Sequence, residues 1–278
     1  MRRIRRKKNQ RKRTIYLILL IGILLLLLVI AGRFLSPEQY GPDYNEKKLT
    51  PSIQHLFGTD YLGRDMFART IKGLSNSILI GTLAAGFSAC VALVLGILSA
   101  TIGGLVDKII SYLVDLCMGI PHLVLLMLIS FMMGRGLRGV IVGIALTHWP
   151  NLTRVIRGEV LQIKNMQYVK VAEKLGKSKI QIAFQHILPH VIPQFIIGLI
   201  LLFPHAILHE AGVTFLGFGL SVDTPAIGII LSEALKHIAT GMWWLVFFPG
   251  MMLVMVVMMF DQLGEHVRRL LDPSSARE

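Results

Sequence analysis

The chain has 278 residues, 54% of them hydrophobic and 16% charged, with a formal net charge of +13. Soluble domains carry about 25% charged residues, so the soluble globular, disordered and collagen-like classes are all poor fits. The composition is that of an integral membrane protein, and its basic excess needs a local explanation.

In chain order, the first feature is a basic cytoplasmic segment, 1–13, holding nine of the 29 Lys and Arg. An apolar run at 14–35 follows, about the length a helix needs to cross a bilayer. Arg33-Phe34-Leu35-Ser36-Pro37 comes next, without a small-residue cleavage site, so the run is expected to be an uncleaved anchor. Residues 36–75 form a polar, turn-rich segment with equal numbers of acids and bases, which nothing holds inside. Five further spans are expected at about 77–103, 109–132, 137–153, 191–217 and 242–262. Twenty-residue apolar runs exclude a barrel, so the spans are helices. The fold class is therefore all-α: a polytopic membrane protein with six transmembrane helices.

The stretch 154–190 carries seven bases against Glu159 and Glu173. Basic loops stay on the cytoplasmic side, and six crossings put both termini there too. Arg268, Arg269 and Arg277 in the tail 264–278 agree with that placement. The loops 36–75 and 218–241 then face outward, and 76–263 is the core domain. The basic clusters sit in no nucleic-acid fold, and anionic lipid is the better phosphate partner. Cys90 and Cys117 lie in apolar spans with no metal-ligand spacing, which makes them core thiols.

The cytoplasmic loop is unusual for a connector. Met166 to Leu175 reads as a short helix with Val169, Ala172 and Leu175 on one face, ended by Gly176. A second, about Ser178 to Ile187, presents Ile180, Phe184 and Ile187, and Pro189 closes it. Two short amphipathic helices suit docking to a soluble partner, with a helix lying on lipid as the alternative. Gly176-Lys177-Ser178 is not a phosphate loop, because Val171 stands where its first glycine belongs.

Ionisable side chains at bilayer depth each need a reason; here they are Asp115, His148, His205, His209, Glu210 and Asp261. His205 and His209 are four apart and share a helix face, which permits two imidazoles to approach one metal ion. The alternative is that these histidines hydrogen-bond neighbouring helices and never meet substrate. Asp60-Tyr-Leu-Gly-Arg64-Asp65 is read as a cap on the second span, with a contact to an external protein as the alternative. Trp243 and Trp244 fit an interfacial aromatic belt.

Lys170-Val171-Ala172, Gly176 and Leu188-Pro189 resemble the coupling loop of ABC importer permeases: Glu-Ala-Ala, three residues, Gly, nine residues, Ile-x-Leu-Pro. Lys170, Val171 and His186 depart from it. Leu56-Phe-Gly-Thr-Asp-Tyr-Leu-Gly-Arg-Asp-Met-Phe67, Gly103-Gly104-x-x-Asp107, the Asp115-to-Pro121 stretch, Phe215-Leu-Gly-Phe-Gly-Leu220 and Leu271-Asp272-Pro273 resemble the peptide/nickel group of that family. Leu-Thr-His148-Trp and His205-x-x-Leu-His209-x-Ala-Gly look like its nickel-type branch.

The resemblance implies a type I ABC importer permease in a bacterial inner membrane, paired with a second permease chain. Two cytoplasmic ATPase subunits would hydrolyse ATP, and an external binding protein would deliver substrate and set much of the specificity. This chain would bind no cofactor and catalyse nothing. Lys170, Val171, Ala172, Glu173, Leu175, Gly176, Leu188 and Pro189 would form the ATPase-coupling loop. His148, His205, His209 and Glu210 are the candidate substrate path, with His205 and His209 as transient metal ligands and no fixed metal site. The expected cargo is nickel or a related metal chelate, with a di- or oligopeptide as the alternative. An ion-gradient-driven transporter would favour inverted repeats, and none is visible. A membrane-embedded enzyme lacks a catalytic set.

Overall fold

A computed structural model describes residues 2–221 and 224–271. Met1 of the basic amino segment and Asp272, Pro273 and Arg277 of the tail lie outside the described residues. The helices in chain order are α1 (Arg2–Phe34), α2 (Pro37–Tyr40), α3 (Met66–Ile102), α4 (Gly104–Gly119), α5 (His122–Met132) and α6 (Leu137–Thr147). Then come α7 (Trp149–Lys164), α8 (Gln167–Lys174), α9 (Lys179–Ile182), α10 (Leu188–Phe215), α11 (Ile227–Leu235) and α12 (Trp244–Leu271). Among the described residues, pairing of the β type is limited to one isolated bridge, Thr59 with Asp65.

Among the described residues, four segments are long and apolar enough to cross a membrane: Arg11–Phe34, Met66–Ile102, Lys179–Phe215 and Trp244–Leu271. The pair α4 and α5, bent by 96°, makes a fifth if it acts as one span. The fourth expected span, 137–153, is not one helix. It divides at His148 into α6 and α7, of 11 and 16 residues, each short of the ~20 a bilayer needs. Pro150 explains the break, since it has no N–H to donate back and its ring crowds the preceding turn.

The molecule is organised on α3, whose 37 residues make a rod of about 55 Å. Its buried positions include Gly73, Ser77, Gly81, Ala85 and Ala89 at four-residue spacing, then Gly96. Small residues on one stripe let helix backbones approach. A Cβ on Gly81 would stand 2.8 Å from Ile207 Cγ1 on α10, and one on Gly96 would stand 2.9 Å from Ile156 Cβ on α7. The first apolar helix packs on the same rod, where Ser75 Oγ donates to Val29 O at 2.9 Å. Ile21 and Leu25 of that helix are buried, whereas Leu19, Ile23 and Leu26 are exposed, as lipid-facing residues must be.

The segment between α2 and α3 ends at Asp65, ten residues before the expected boundary, because Asp65 caps α3 by accepting from Ala68 N at 2.8 Å. This bears out the capping reading of that motif. A buried ion cluster closes the same end of the bundle. Asp60 accepts from Arg64 Nε (2.5 Å) and Arg69 Nη1 (3.2 Å), while Glu233 on α11 accepts from Arg64 (2.9 Å) and Arg69 (2.6 Å). Burial disfavours the charge on Arg64, but the two carboxylates outweigh it and raise its pKa.

Two expectations about single side chains fail. Trp244 is not in an exposed belt: it is buried and its Nε1 donates to Thr59 O at 3.2 Å, while Trp243 is exposed. Cys90 is exposed rather than in the core, and Cys117 is half-buried.

Hydrogen bonds set the levels of the shorter helices. At the end of the bundle that carries the ion cluster, Gly136 N donates to Gly219 O at 2.9 Å and Ser130 Oγ to Phe218 O at 2.9 Å. At the opposite end, Lys164 Nζ donates to Ala100 O at 3.0 Å. Arg157 grips Asp107 there through Nε at 2.6 Å and Nη2 at 2.7 Å. Asp115, one of the ionisable residues within the expected spans, pairs with Arg154 on an exposed surface.

Candidate functional site

The 167–190 region projects from the Lys164 end of the bundle. Its first helix, α8, ends because Gly176 adopts φ +83°, a conformation glycine enters without steric cost. Lys177 N then donates to Ala172 O at 3.2 Å and Gly176 N to Glu173 O at 3.0 Å, closing the helix in the manner expected of a left-handed cap. Ser178 starts α9 as its cap, accepting from Gln181 N at 3.2 Å, while Gln181 Oε1 accepts from Ser178 N at 2.9 Å.

Pro189 does not close the second helix. The chain continues through a π turn, Ala183–Ile187, straight into α10. There Leu188 N–H reaches back to Ala183 O. The wider turn makes room for a proline ring that an α-turn would push into a carbonyl.

Two opposite faces result. Val169, Ile182 and Ile187 pack into one apolar cluster with Ile156, Val160, Ile163 and Val191, so the loop is anchored to α7 and α10. Ala172 is also buried, and Leu188 is half-buried. Leu175 does not join that face: it is 77% exposed, with Ile180 at 71%, Phe184 at 67% and Val171 at 54%. Lys170, Glu173, Gly176 and Pro189 are also exposed. The result is an apolar tip rimmed by Lys170, Glu173, Lys174 and Lys177.

The histidines form a second constellation, and it differs from the expected pair. His209 on α10 meets His148, at the α6–α7 break, and His122, the first residue of α5. One ring nitrogen from each lies within 4.8 Å of the others. The ring centroids are 4.6 Å apart for His122–His148, 4.4 Å for His122–His209 and 5.2 Å for His148–His209. His205 stands outside this group and is exposed.

Sequence spacing missed His122, because it lies 26 and 87 residues from its partners. The available signal was Pro121-His122, a helix start inside an apolar run. Glu210, the fourth residue of the expected path, points elsewhere. It is wholly buried and accepts from Thr214 Oγ1 at 3.0 Å, one residue round the helix from His209. The structure thus brings together His148 and His209 of the expected path and leaves out His205 and Glu210.

A helical bundle on one small-residue rod, with a two-faced loop at one end and broken helices within it, defines a multi-pass membrane permease. Residues 92–273 match the family described as binding-protein-dependent transport system inner membrane component. The chain belongs to this family of ABC permeases. It is 34% identical over 249 residues to a dipeptide transport system permease protein of Bacillus subtilis (strain 168), covering 89% of this chain and 78% of the relative. An oligopeptide transport system permease protein of the same organism is 34% identical, covering 80% and 73%. A probable D,D-dipeptide permease of Escherichia coli (strain K12) is 32% identical, covering 84% and 78%.

Among solved structures, an inward-facing MetNI methionine ABC transporter superposes with TM-score 0.62 at 17% identity, over 74% of this chain and 98% of that one. An amino acid ABC transporter crystallised with histidines superposes with TM-score 0.57 at 16% identity, over 73% and 94%. These two likenesses establish the fold. The chain is a permease subunit and no enzyme; ATP hydrolysis belongs to partner ATPases, and membership also implies a substrate-binding protein. The expected nickel-type branch finds no support among these relatives, whose names are those of peptide permeases.

Proposed function

We propose that the chain is one of two permease subunits of an ATP-driven importer whose cargo is a short peptide. The observation that carries this is the 34% identity to a dipeptide permease over 89% of the chain. A cavity of about 660 Å³ at the ion-cluster end supports it. Arg135 and Lys236 line it beside the Arg-paired Glu233, offering positive charge to a peptide's carboxylate.

The exposed tip of Val171, Leu175, Ile180 and Phe184 is the surface that enters an ATPase subunit. Its buried roots on α7 and α10 turn movement of the ATPase into movement of the bundle. Both termini and the 167–190 loop lie in the cytoplasm of a bacterial cell, and the 36–65 segment faces out. Six crossings follow if α6 and α7 together make one. Support comes from their ends, Gly136 bonded at the level of Gly219 and Lys164 at the level of Ala100. The second permease is a different chain.

Uptake of labelled dipeptide and of labelled nickel, by cells with and without the gene, tests the cargo. Loss of dipeptide uptake is expected, and unchanged dipeptide uptake refutes this reading. Topology is tested with single cysteines in a background lacking Cys90 and Cys117. A membrane-impermeant reagent added outside should label a cysteine at Tyr40 and spare one at Lys177; the reverse pattern overturns the orientation. A second reading, a metal-bearing cargo, has one observation in its favour, the three-histidine cluster.

A further inference from the structure

We infer that His122, His148 and His209 form a three-imidazole site for a divalent transition metal ion inside the bundle. The inference rests on the permease reading above and names a chemistry for its interior.

Three independent features meet at this point. The first is the set of ring nitrogens converging within 4.8 Å. The second is that Nε2 of His122 and Nε2 of His148 are buried without a hydrogen-bond partner. A buried polar atom left unpaired costs free energy, so its retention calls for an occupant. His148 also shows how the lone pair is kept for that occupant. Its Nδ1 lies 3.0 Å from Ile144 O, a bond only an Nδ1–H can make. The neutral ring then has an unprotonated Nε2, the tautomer that a metal requires.

The third feature is the backbone. His122 follows the 96° bend between α4 and α5, and His148 is itself the residue between α6 and α7. His209 lies five residues after Pro204, a proline inside α10. Broken helices at membrane depth are tolerated where they are buried in protein or line a cavity, and in transporters they mark binding sites. Here two breaks and one proline-bearing helix present an imidazole to the same spot.

The geometry also limits what the site does. A tetrahedral ion holds imidazole nitrogens at about 2.0–2.1 Å, which places them about 3.4 Å from one another. From nitrogens lying within 4.8 Å of one another, the rings close inward by at most about an ångström to reach that spacing, a motion that side-chain rotation supplies. Imidazole ligands suit nickel, copper and zinc rather than magnesium or calcium.

Three neutral ligands leave the ion's double charge uncompensated in a low-dielectric interior. An ion carrying its own anionic chelator avoids that cost, with the chelator's donor in the fourth position. An open, thiolate-free site is also one from which the ion exchanges. His205, exposed one turn toward the start of α10, is the next imidazole along the same helix.

The test is nickel binding to the assembled, untagged transporter in nanodiscs, with partner subunits present. Nickel is offered either as Ni²⁺ alone or as Ni²⁺ with one equivalent of labelled L-histidine. One nickel per chain is expected, with absorption fine structure dominated by nitrogen scatterers. His122→Ala, His148→Ala and His209→Ala should each weaken binding about 10-fold or more. His190→Ala, which removes an exposed imidazole elsewhere, should leave it unchanged. Co-retention of labelled histidine identifies a chelate as the occupant; nickel retained alone identifies the bare ion, and both support the site.

Should the variants fail to assemble, the wild-type transporter is loaded with Cu²⁺ and its resonance spectrum examined for coupling to three nitrogens. Absence of that coupling, or nickel binding that persists in the triple alanine variant, overturns the site. Binding-protein-stimulated ATP hydrolysis by the wild-type assembly is measured in parallel. If it is present without nickel binding, the site fails and the permease reading stands.

Discussion

The apolar tip of the 167–190 loop allows one perturbation to be worked through. Phe184 is 67% exposed in the isolated chain and belongs to no core cluster, so removing its ring leaves the fold intact. Burying a whole phenylalanine side chain is worth about 1.5–3 kcal/mol. Two-thirds of that, about 1–2 kcal/mol, is what an ATPase groove stands to gain from this residue. Phe184→Ala should therefore weaken ATPase docking roughly 5- to 30-fold. Leu175→Ala, at 77% exposed, belongs in the same range.

Ile187→Ala, three residues further along the chain, should behave oppositely. Ile187 is fully buried, and deleting its side chain costs about 2–5 kcal/mol of fold stability. It lowers the amount of inserted protein rather than the affinity per molecule. The assay titrates fluorescent ATPase subunit onto transporter in nanodiscs, normalised to inserted chain. Affinities within twofold of wild type for both Phe184→Ala and Leu175→Ala would refute the docking argument, whatever their effect on transport.

Two further predictions concern what holds the bundle together. A Cβ on Gly228 would stand 2.3 Å from Ala211 O, so Gly228→Ala should cost about 1–3 kcal/mol by forcing α11 from α10. Gly86, with nothing within 4 Å, should accept alanine with unchanged or slightly raised stability. Thermal unfolding in detergent compares the two, and equal midpoints would contradict the packing account. Arg69→Met strands part of the buried charge on Asp60 and Glu233. It should destabilise the assembly by about 3 kcal/mol or more, read as a lower midpoint and faster proteolysis of the 36–65 segment. A midpoint unchanged from wild type would mean that the cluster contributes nothing net.

What the sequence determined alone was what depends on neighbours in the chain. Apolar runs of about 20 residues and the placement of bases identified a helical membrane protein. The 3.6-residue period and Gly176 identified one short helix, its glycine stop and the start of a second helix at Ser178. The spacing from Lys170 to Pro189 pointed to an ABC permease. Each of these is a local property: hydrophobic length, charge count and backbone permissiveness are written in consecutive residues.

Packing between distant segments sets where the chain departs from its own local signals. Pro189 reads as a helix stop, yet a π turn absorbs it and joins the loop rigidly to α10. Leu175 shares helical spacing with Val169 and Ala172, yet it lies at the cap, where the chain has already turned outward. Trp244 has the composition of a belt residue, but the carbonyl of Thr59 draws it inward. His209 has a visible partner four residues away in His205. Its actual partners come from the start of α5 and the α6–α7 break, because α3 gathers α6, α7 and α10 and α5 packs in turn on α6 and α10. Periodicity reports which face of a helix a residue occupies; which other faces meet it is settled by packing, and the histidine site exists only there.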